Sequence, residues 1–376
     1  MIVEIGQKKW VKYSVKWGEY MNICFVTGAL KYSGAEKIIT NLMRQLQQRG
    51  HKISVIEFSL KEPAEGFDGI DQYPVNSGGR SIKNIYNRLK KVRRVVKNNK
   101  FDVVLSFNSV YNLDMVPAMA FLKTPLVLCE RNDPNYDPRT KLKKLRKKIS
   151  YPFATGYIFQ TERIKNYFSK GIGKRSEIIP NFIEEPYECV TDNERRKVIV
   201  TCARLDDRQK NQSMLIRAFS RFAKENDEYN LEFYGSGPDK AKYESLIKEL
   251  GMEKRIILCG RVEDVQNRLK NAEIFVLPSV FEGMPNALIE AMGMGLPCIA
   301  TDCGGGGSAA LIENDVNGIL IDNFDEDALY EAFKRLCADG VLRKKLGHNA
   351  YKVNETLEIS KIIDLWEKAA KRFSGN

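Results

Sequence analysis

The sequence is poor in metal-binding side chains. It has only two histidines in 376 residues, and none of its eight cysteines forms a Cys-x-x-Cys pair. A structural zinc site needs clustered Cys and His ligands, so we expect no metal and no metal cofactor. Most of the cysteines lie within apolar runs, which is typical of buried, reduced thiols in an intracellular protein.

Long apolar runs are also missing. No stretch reaches the roughly 18 uninterrupted apolar residues that a membrane-spanning helix requires. Residues 1–20 lack the apolar core of a signal peptide, so secretion is not expected. These absences favour a cytoplasmic protein.

Positive charge is distributed unevenly. Residues 1–190 hold 33 of the 60 Lys and Arg but only 18 of the 48 Asp and Glu, which leaves a net charge of +15 against −3 for residues 191–376. Much of the excess lies in two runs, residues 80–100 and 139–149. Basic amphipathic helices are typical of proteins that bind anionic membrane surfaces, although a solvated helix face explains the same pattern. We recognise no nucleic-acid-binding module and expect no nucleic acid as partner.

From Met21 onward, short apolar strands alternate with amphipathic helices. This alternation predicts a parallel sheet covered by helices on both faces. The chain turns polar around residues 180–197 and then alternates again, so we predict two doubly wound α/β domains. We expect an extension over residues 1–20, domains over 21–190 and 191–352, and a terminal helix within 353–376 that packs back on the first domain.

One loop after a predicted strand of the second domain combines several features of a binding site. Ligands bind at the carboxyl ends of strands in open parallel sheets. After the strand EIFVLPS, Pro285 and Asn286 are suited to start a helix, whose free amides favour phosphate or sugar oxygens. Glu282 precedes this helix and Glu290 lies within it, where a carboxylate can accept both hydroxyls of a ribose. An ordinary surface turn beside a salt-bridged helix is the alternative.

Other strand ends of the second domain carry basic residues and glycines. Arg204 and Lys210 follow the strand VIVTCAR, where they can neutralise a diphosphate leaving group. Solvated loop charges are the alternative interpretation. Glycines after the strands LEFYG and RIILCG permit the close approach of a ligand, but glycines at such places often only form turns.

Taken together, these runs resemble the retaining glycosyltransferases of family 4. The resemblance rests on GALKYSGAEKIITNL, ARL with QKN, YGSGP, CGRV and PSVFEGMPNALIEAMGMGLPCIATDCGGG, and it covers nearly everything from Met21 onward. Glu282 and Glu290 match the family signature of two glutamates separated by seven residues. The resemblance implies the GT-B architecture, in which two Rossmann-like domains face a central cleft.

The resemblance also implies roles for individual residues. Arg204 and Lys210 would hold the diphosphate, Glu290 would bind the ribose, and Glu282 would act at the donor sugar. The catalytic set is thus Glu282, Arg204 and Lys210. The implied donor-binding residues are Gly34, Gly235, Arg261, Val262, Gly283, Met284, Asn286, Ala287 and Glu290. The implied reaction needs no metal, because these groups and the helix amides stabilise the leaving group.

The sequence departs from the family pattern in two places. Many relatives carry a histidine on the acceptor side of the cleft, whereas the strand PLVLC ends here in Glu130, Arg131 and Asn132, followed by Asp133. We expect those first three residues on the acceptor side, and we expect His51 to begin a structural strand. In addition, Ala309-Ala310 replace an acidic residue that relatives often place near the donor.

We therefore expect a retaining glycosyltransferase. Its donor would be a nucleotide diphosphate sugar, with UDP preferred over GDP, and it would transfer a hexose or N-acetylhexosamine to a lipid-linked saccharide or a cell-surface polysaccharide precursor. It would lie at the inner face of the cell membrane, bound through residues 80–100 and 139–149. The alternatives are a sugar-nucleotide epimerase of GT-B-like fold, a phosphorylase, which would need a pyridoxal-phosphate lysine in a longer chain, and a non-catalytic membrane-surface binding protein.

Overall fold

The computed structural model of the protein describes residues 20–30, 35–79, 81–188 and 195–375. The first domain is built on a parallel sheet of seven strands in the order β3-β2-β1-β4-β5-β6-β7. Its strands are β1 (Asn22–Thr27), β2 (Lys52–Glu57), β3 (Asp71–Pro74), β4 (Val103–Phe107), β5 (Leu126–Glu130), β6 (Gly156–Phe159) and β7 (Ser176–Ile178). The strand order reverses between β1 and β4, and a crevice forms at such a switch point.

The second domain repeats this plan with six parallel strands in the order β10-β9-β8-β11-β12-β13. Its strands are β8 (Arg196–Cys202), β9 (Asn230–Tyr234), β10 (Ile256–Gly260), β11 (Ala272–Leu277), β12 (Cys298–Asp302) and β13 (Ile319–Asp322). Here the order reverses between β8 and β11. The expected pair of doubly wound α/β domains is confirmed.

Helices cover both sheets. Those of the first domain are α1 (Ala35–Gln48), α2 (Ile82–Asn99), α3 (Ser109–Met119), α4 (Lys141–Ser150), which continues into a short 3-10 helix (Tyr151–Phe153), α5 (Glu162–Tyr167) and α6 (Lys170–Lys174). Those of the second are α7 (Asp207–Lys210), α8 (Gln212–Ala223), α9 (Lys240–Glu249), α10 (Val265–Lys270), α11 (Asn286–Gly293), α12 (Gly307–Leu311), α13 (Glu326–Ala338), α14 (Gly340–Tyr351) and α15 (Val353–Thr356). None of these described helices combines the length and the apolar character needed to cross a membrane.

The last helix, α16 (Ile359–Ser374), packs on the first domain although it follows the second in sequence. Trp366 stacks on Phe107 with 5.5 Å between the ring centroids, and Arg49 pairs with Glu367 at 3.0 Å. His51 lies immediately before β2, is buried, and accepts a hydrogen bond from the amide of Met21. It therefore has a structural role, as the sequence predicts.

Three short strands were not anticipated from the sequence: β3, β7 and β13. Each lies at the edge of its sheet. Edge strands are short and bury few side chains, so they leave a weak apolar pattern in the sequence. The predicted extension lies outside the described residues except for Tyr20, and so does the predicted domain boundary, which falls within residues 189–194.

Candidate functional site

The loop that joins β11 to α11, residues 278–285, lies where the carboxyl ends of the two sheets face each other. Within its own domain the loop is held by the turn after β12, because the amide of Glu282 donates to the carbonyl of Gly304 at 3.0 Å. Phe281 and Gly304 also form a bridge between the two segments. The position of the predicted catalytic glutamate is therefore set by two neighbouring strand ends.

Lys210 and Glu282, both predicted as catalytic, are brought together. The Nζ of Lys210, at the end of α7, contacts the Oε1 of Glu282, and their side chains are only 17% and 10% exposed. Each charge thus neutralises the other in a site with little water. Arg204, just after β8, is exposed, and no hydrogen bond or ion pair joins its side chain to any other described residue. Arg204 is therefore the freer of the two predicted phosphate ligands.

The first domain covers the predicted donor-sugar amides. Gln160, just after β6, accepts a hydrogen bond from the amide of Met284 at 3.1 Å. Asn181 donates from its side chain to the Met284 carbonyl at 3.1 Å and to Asn286 Oδ1 at 2.6 Å. Sequence analysis did not identify Gln160 or Asn181. The available signal was a polar side chain following an apolar strand, which is the same signal that identified Arg204.

Further contacts hold the cleft closed over this loop. Tyr136 stacks on Phe281 with 4.4 Å between the ring centroids, and Arg163 forms two hydrogen bonds with the Asp302 carboxylate, at 2.6 and 3.2 Å. The backbones of the two domains also approach closely at Gly283, where a Cβ atom would lie 2.3 Å from the carbonyl oxygen of Arg131. Only glycine permits this contact between the domains.

A cavity of about 690 Å³ opens beside the closed loop. Asn286, Ala287 and Glu290 of α11 line one side, and Lys37 of α1 faces them. This volume is in the range of cavities that bind small molecules. Burial raises the pKa of the Glu290 carboxyl, while nearby Lys37 lowers it and Glu184 raises it. Three of the predicted donor-binding residues therefore share one cavity.

Other predicted donor-binding residues lie outside the lining of this cavity. Gly235 has φ +137, and a Cβ there would lie 2.1 Å from the carbonyl oxygen of Ala203, so the packing of the protein itself already requires this glycine. Arg261 is exposed and Val262 half-buried, and neither lines the cavity. Instead, α10 contributes residues that the sequence analysis missed: Gln266, Asn267 and Lys270. Gly34 lies outside the described residues.

The expectation that places Glu130 on the acceptor side of the cleft requires correction. Its side chain is buried, and its Oε2 lies 2.7 Å from the Nζ of Lys147. Its Oε1 accepts from the hydroxyl of Tyr151 and from Asn112. Both oxygens are thus engaged inside the first domain, because the side chain turns from the strand end toward α4. Lys147, which the sequence placed in a basic surface run, is buried for the same reason.

Of the residues after Glu130, Arg131 and Asp133 do reach the second domain. Arg131 contacts Asn181, and burial lowers the pKa of its guanidinium to about 10. Asn132 accepts from the amide of Asp133 at 2.9 Å. Asp133 itself is buried against Gly304 in the second domain; its Oδ1 accepts from Asn135, whereas its Oδ2 has no hydrogen-bond partner among the described residues. Asp133 therefore holds a carboxylate oxygen without a described partner where the first domain meets the second.

Among the described residues, no group of three or more His, Cys, Asp and Glu side chains is arranged to hold a metal ion. Metal independence stays a prediction. Ala309 and Ala310 lie in α12, directly after the glycine turn that contacts Asp133.

Two family models match the chain. The model described as Glycosyltransferase Family 4 matches residues 32–185, and the model described as Glycosyl transferases group 1 matches residues 196–339. Together they cover most of both domains.

A curated relative and a solved structure resemble the chain over most of its length, and a second curated relative resembles it over a shorter stretch. The GalNAc-alpha-(1->4)-GalNAc-alpha-(1->3)-diNAcBac-PP-undecaprenol alpha-1,4-N-acetyl-D-galactosaminyltransferase of Campylobacter jejuni is 27% identical over 93% of this chain and 98% of its own. The UDP-Gal:alpha-D-GlcNAc-diphosphoundecaprenol alpha-1,3-galactosyltransferase of Escherichia coli is 36% identical, over 31% of this chain and 30% of its own. The structure of Anabaena Alr3699/HepE in complex with UDP and glucose superimposes with a TM-score of 0.79 and 17% identity, covering 94% of this chain and all of that one.

Proposed function

Because this chain belongs to the family-4-like glycosyltransferases and has the GT-B fold, we propose that it is a retaining enzyme that uses a UDP-sugar. The sugar would be a hexose or N-acetylhexosamine, and the acceptor a lipid-linked saccharide or polysaccharide precursor at the inner face of the cell membrane. The observation that carries this proposal is the contact between Lys210 and Glu282 beside the cavity that Glu290 lines.

The nucleotide would occupy that cavity. Its ribose hydroxyls would donate to the Glu290 carboxylate, and its diphosphate would extend toward Arg204 and Lys210, whose positive charges offset the charge of the leaving group. UDP is favoured over GDP because the named relative from Escherichia coli uses UDP-Gal and the Anabaena structure contains UDP.

The sugar would lie against Glu282, Gly283 and the amides that begin α11. In the closed structure the amide of Met284 is bound to Gln160 of the first domain, so the domains must separate before that amide can bind a donor sugar. Closure would then exclude water from the sugar, which protects it from hydrolysis.

The reaction would be a same-face substitution. The acceptor oxygen forms a bond to the anomeric carbon while the bond from that carbon to the phosphate oxygen breaks. The proton of the acceptor hydroxyl passes to the departing phosphate oxygen, so the charges balance and the configuration of the anomeric carbon is kept. Lys210 stabilises the diphosphate, while Glu282 holds Lys210 and faces the donor sugar in the transition state.

Asp133, rather than Glu130, would orient the acceptor, because its Oδ2 is free and directed at the glycine turn of the second domain. A lipid-linked saccharide is the acceptor class that we propose, since both named bacterial relatives act on undecaprenol-linked saccharides.

A panel of UDP- and GDP-sugars, with undecaprenyl-diphosphate saccharides as acceptors, tests the proposal. We expect nucleoside diphosphate release that increases with acceptor, and a product whose anomeric proton coupling in NMR matches that of the donor. A chelator should leave the activity intact. An inverted product would exclude the retaining mechanism. Altered free sugar without transfer would indicate an epimerase, and binding without turnover a non-catalytic protein.

A further inference from the structure

Helix α4 and the 3-10 helix after it expose an apolar ridge. Leu142, Leu145, Ile149 and Phe153 are 69%, 54%, 61% and 79% exposed. The first three follow one another at helical spacing, so they lie on one face of α4. Isolated apolar side chains are common on protein surfaces, but three large ones on one helix face and a fourth in the turn that follows form a patch that indicates a binding surface.

The surroundings of this ridge are strongly basic. No Asp or Glu occurs between Asp137 and Glu162, or between Asp71 and Asp102, so α2 and α4 carry no acidic side chain. The one acidic residue of α3, Asp114, is nearly buried and lies 2.7 Å from Arg88 of α2 and 3.5 Å from Arg146 of α4. Asp114 therefore ties the two basic helices together and adds little negative charge to the surface.

Not every cation of residues 80–100 and 139–149 is available to a ligand. Lys147 pairs with Glu130 in the interior, Arg93 donates to the carbonyls of Ala118 and Ala120, and Arg88 is held by Asp114. The exposed cations that remain are Lys83, Lys90, Lys91, Arg94, Lys97, Lys100, Arg139, Lys141 and Lys148. Arg139, Lys141 and Lys148 lie on or just before α4 itself, and the others lie on α2 or at its end, which Asp114 links to α4.

We propose that the α4 ridge inserts its four apolar side chains into an anionic lipid bilayer while the remaining cations of α2 and α4 bind the headgroups. An apolar ridge with a wholly basic surround has the chemistry of a helix that lies in the membrane interface. A protein partner would have to be strongly acidic to place negative charges opposite these cations. Binding therefore has an apolar component that salt does not screen, in addition to an electrostatic component that it does.

The position of the ridge suits the lipid-linked acceptor that we proposed above. The purpose that we assign to membrane binding rests on that proposed function. The loop that carries Asp133 leads directly into α4, and Lys144 donates to the carbonyl of Asn135 in that loop. A lipid held at α4 would thus extend its headgroup saccharide toward the acceptor side of the cleft.

Vesicle binding without any substrate tests the inference separately from catalysis. Co-sedimentation of the full chain would use vesicles of phosphatidylglycerol with phosphatidylcholine, and of phosphatidylcholine alone, at rising salt. We expect the fraction of protein that sediments with the anionic vesicles to fall as the salt concentration rises, without reaching zero. The variant Leu142→Ser/Leu145→Ser/Ile149→Ser should lose this residual fraction and bind at least about 10-fold more weakly at physiological salt. The matched control, Phe324→Ser/Val341→Ser, removes exposed apolar side chains of the second domain and should bind like the parent.

Depth of insertion provides a second measurement. A Phe153→Trp variant should be quenched by lipids brominated on their acyl chains, more than the parent with its own three tryptophans. Equal quenching, or ridge variants that bind as the parent does, would overturn insertion. A parent that is dimeric in solution and becomes monomeric in the ridge variant would assign the ridge to a second copy of the chain instead. If the vesicles bind but no lipid acceptor is glycosylated, the docking surface stands and the proposed acceptor fails.

Discussion

The ammonium group of Lys210 contacts the carboxylate of Glu282, although 72 positions separate the two residues. In this arrangement Glu282 supplies the negative charge that a bound diphosphate would otherwise supply. A bound donor must therefore share Lys210 with Glu282. When either charge is removed by substitution, its effect on nucleotide binding and its effect on turnover can be measured separately.

Replacement of Glu282 should separate these two effects. We expect Glu282→Gln to lower turnover by at least about 100-fold, the scale of one lost transition-state contact. Its affinity for UDP, measured by calorimetry, should be equal to or higher than that of the parent, because Lys210 loses its competing partner. As a control, Glu232→Gln breaks a comparable ion pair with Arg196 away from the cleft and should keep its turnover. A folded Glu282→Gln variant with normal turnover would remove this residue from the catalytic set.

Replacement of the two predicted phosphate ligands should weaken the binding of a charged nucleotide more than the binding of an uncharged nucleoside. Arg204→Ala and Lys210→Ala should each weaken the binding of UDP more than that of uridine, because uridine carries no phosphate. Arg217→Ala, which removes an exposed partner of Glu326 in the same domain, is the control. Equal losses for UDP and uridine would show that these two side chains do not face the diphosphate.

The pH dependence of donor binding should report Glu290. Its pKa is raised by burial, and only the ionised carboxylate accepts both ribose hydroxyls. The affinity for UDP should therefore be full above this raised pKa and should fall as the pH decreases through it. The Glu290→Gln variant should bind UDP more weakly at neutral pH and should lack this fall in affinity. Subtracting the pH profile of the variant from that of the parent removes the contribution of the UDP phosphates. Parallel pH profiles for parent and variant would contradict the assignment.

Closure of the domains should depend on Gly283. A methyl group there would lie 2.3 Å from the carbonyl oxygen of Arg131, so Gly283→Ala cannot reach the closed arrangement without a backbone shift. We expect a turnover loss of about 100-fold, the scale of a displacement of about 1 Å at a reacting centre. The radius of gyration from small-angle scattering should increase. Gly171→Ala, where no atom lies within 4 Å of the added methyl group, is the matched control.

Asp133 should affect the acceptor rather than the donor. Asp133→Asn keeps the size of the side chain and its bonds to Asn135 but removes the charge on the free Oδ2. We expect a higher KM for the acceptor and unchanged hydrolysis of the UDP-sugar in the absence of acceptor. If donor hydrolysis falls to the same extent as transfer, Asp133 supports closure of the cleft and does not contact the acceptor.

The sequence alone was sufficient to predict the two α/β domains and the loop before α11. Both depend on neighbouring residues: the alternation of strands and helices is a local pattern, and Glu282, Pro285 and Glu290 belong to one turn and one helix. A strand such as β3 (Asp71–Pro74) was missed because an edge strand is buried on too few sides to show that pattern.

Only the tertiary structure decided which side chains meet. Glu130 and Lys147 are both charged residues that are typical of a surface, yet they are buried as a pair because α4 packs over the end of β5. Gln160 lies 124 positions from the amide of Met284 that it contacts. Such contacts arise from how two domains and α16 pack together, and a sequence pattern that extends over one or two turns contains no information about them.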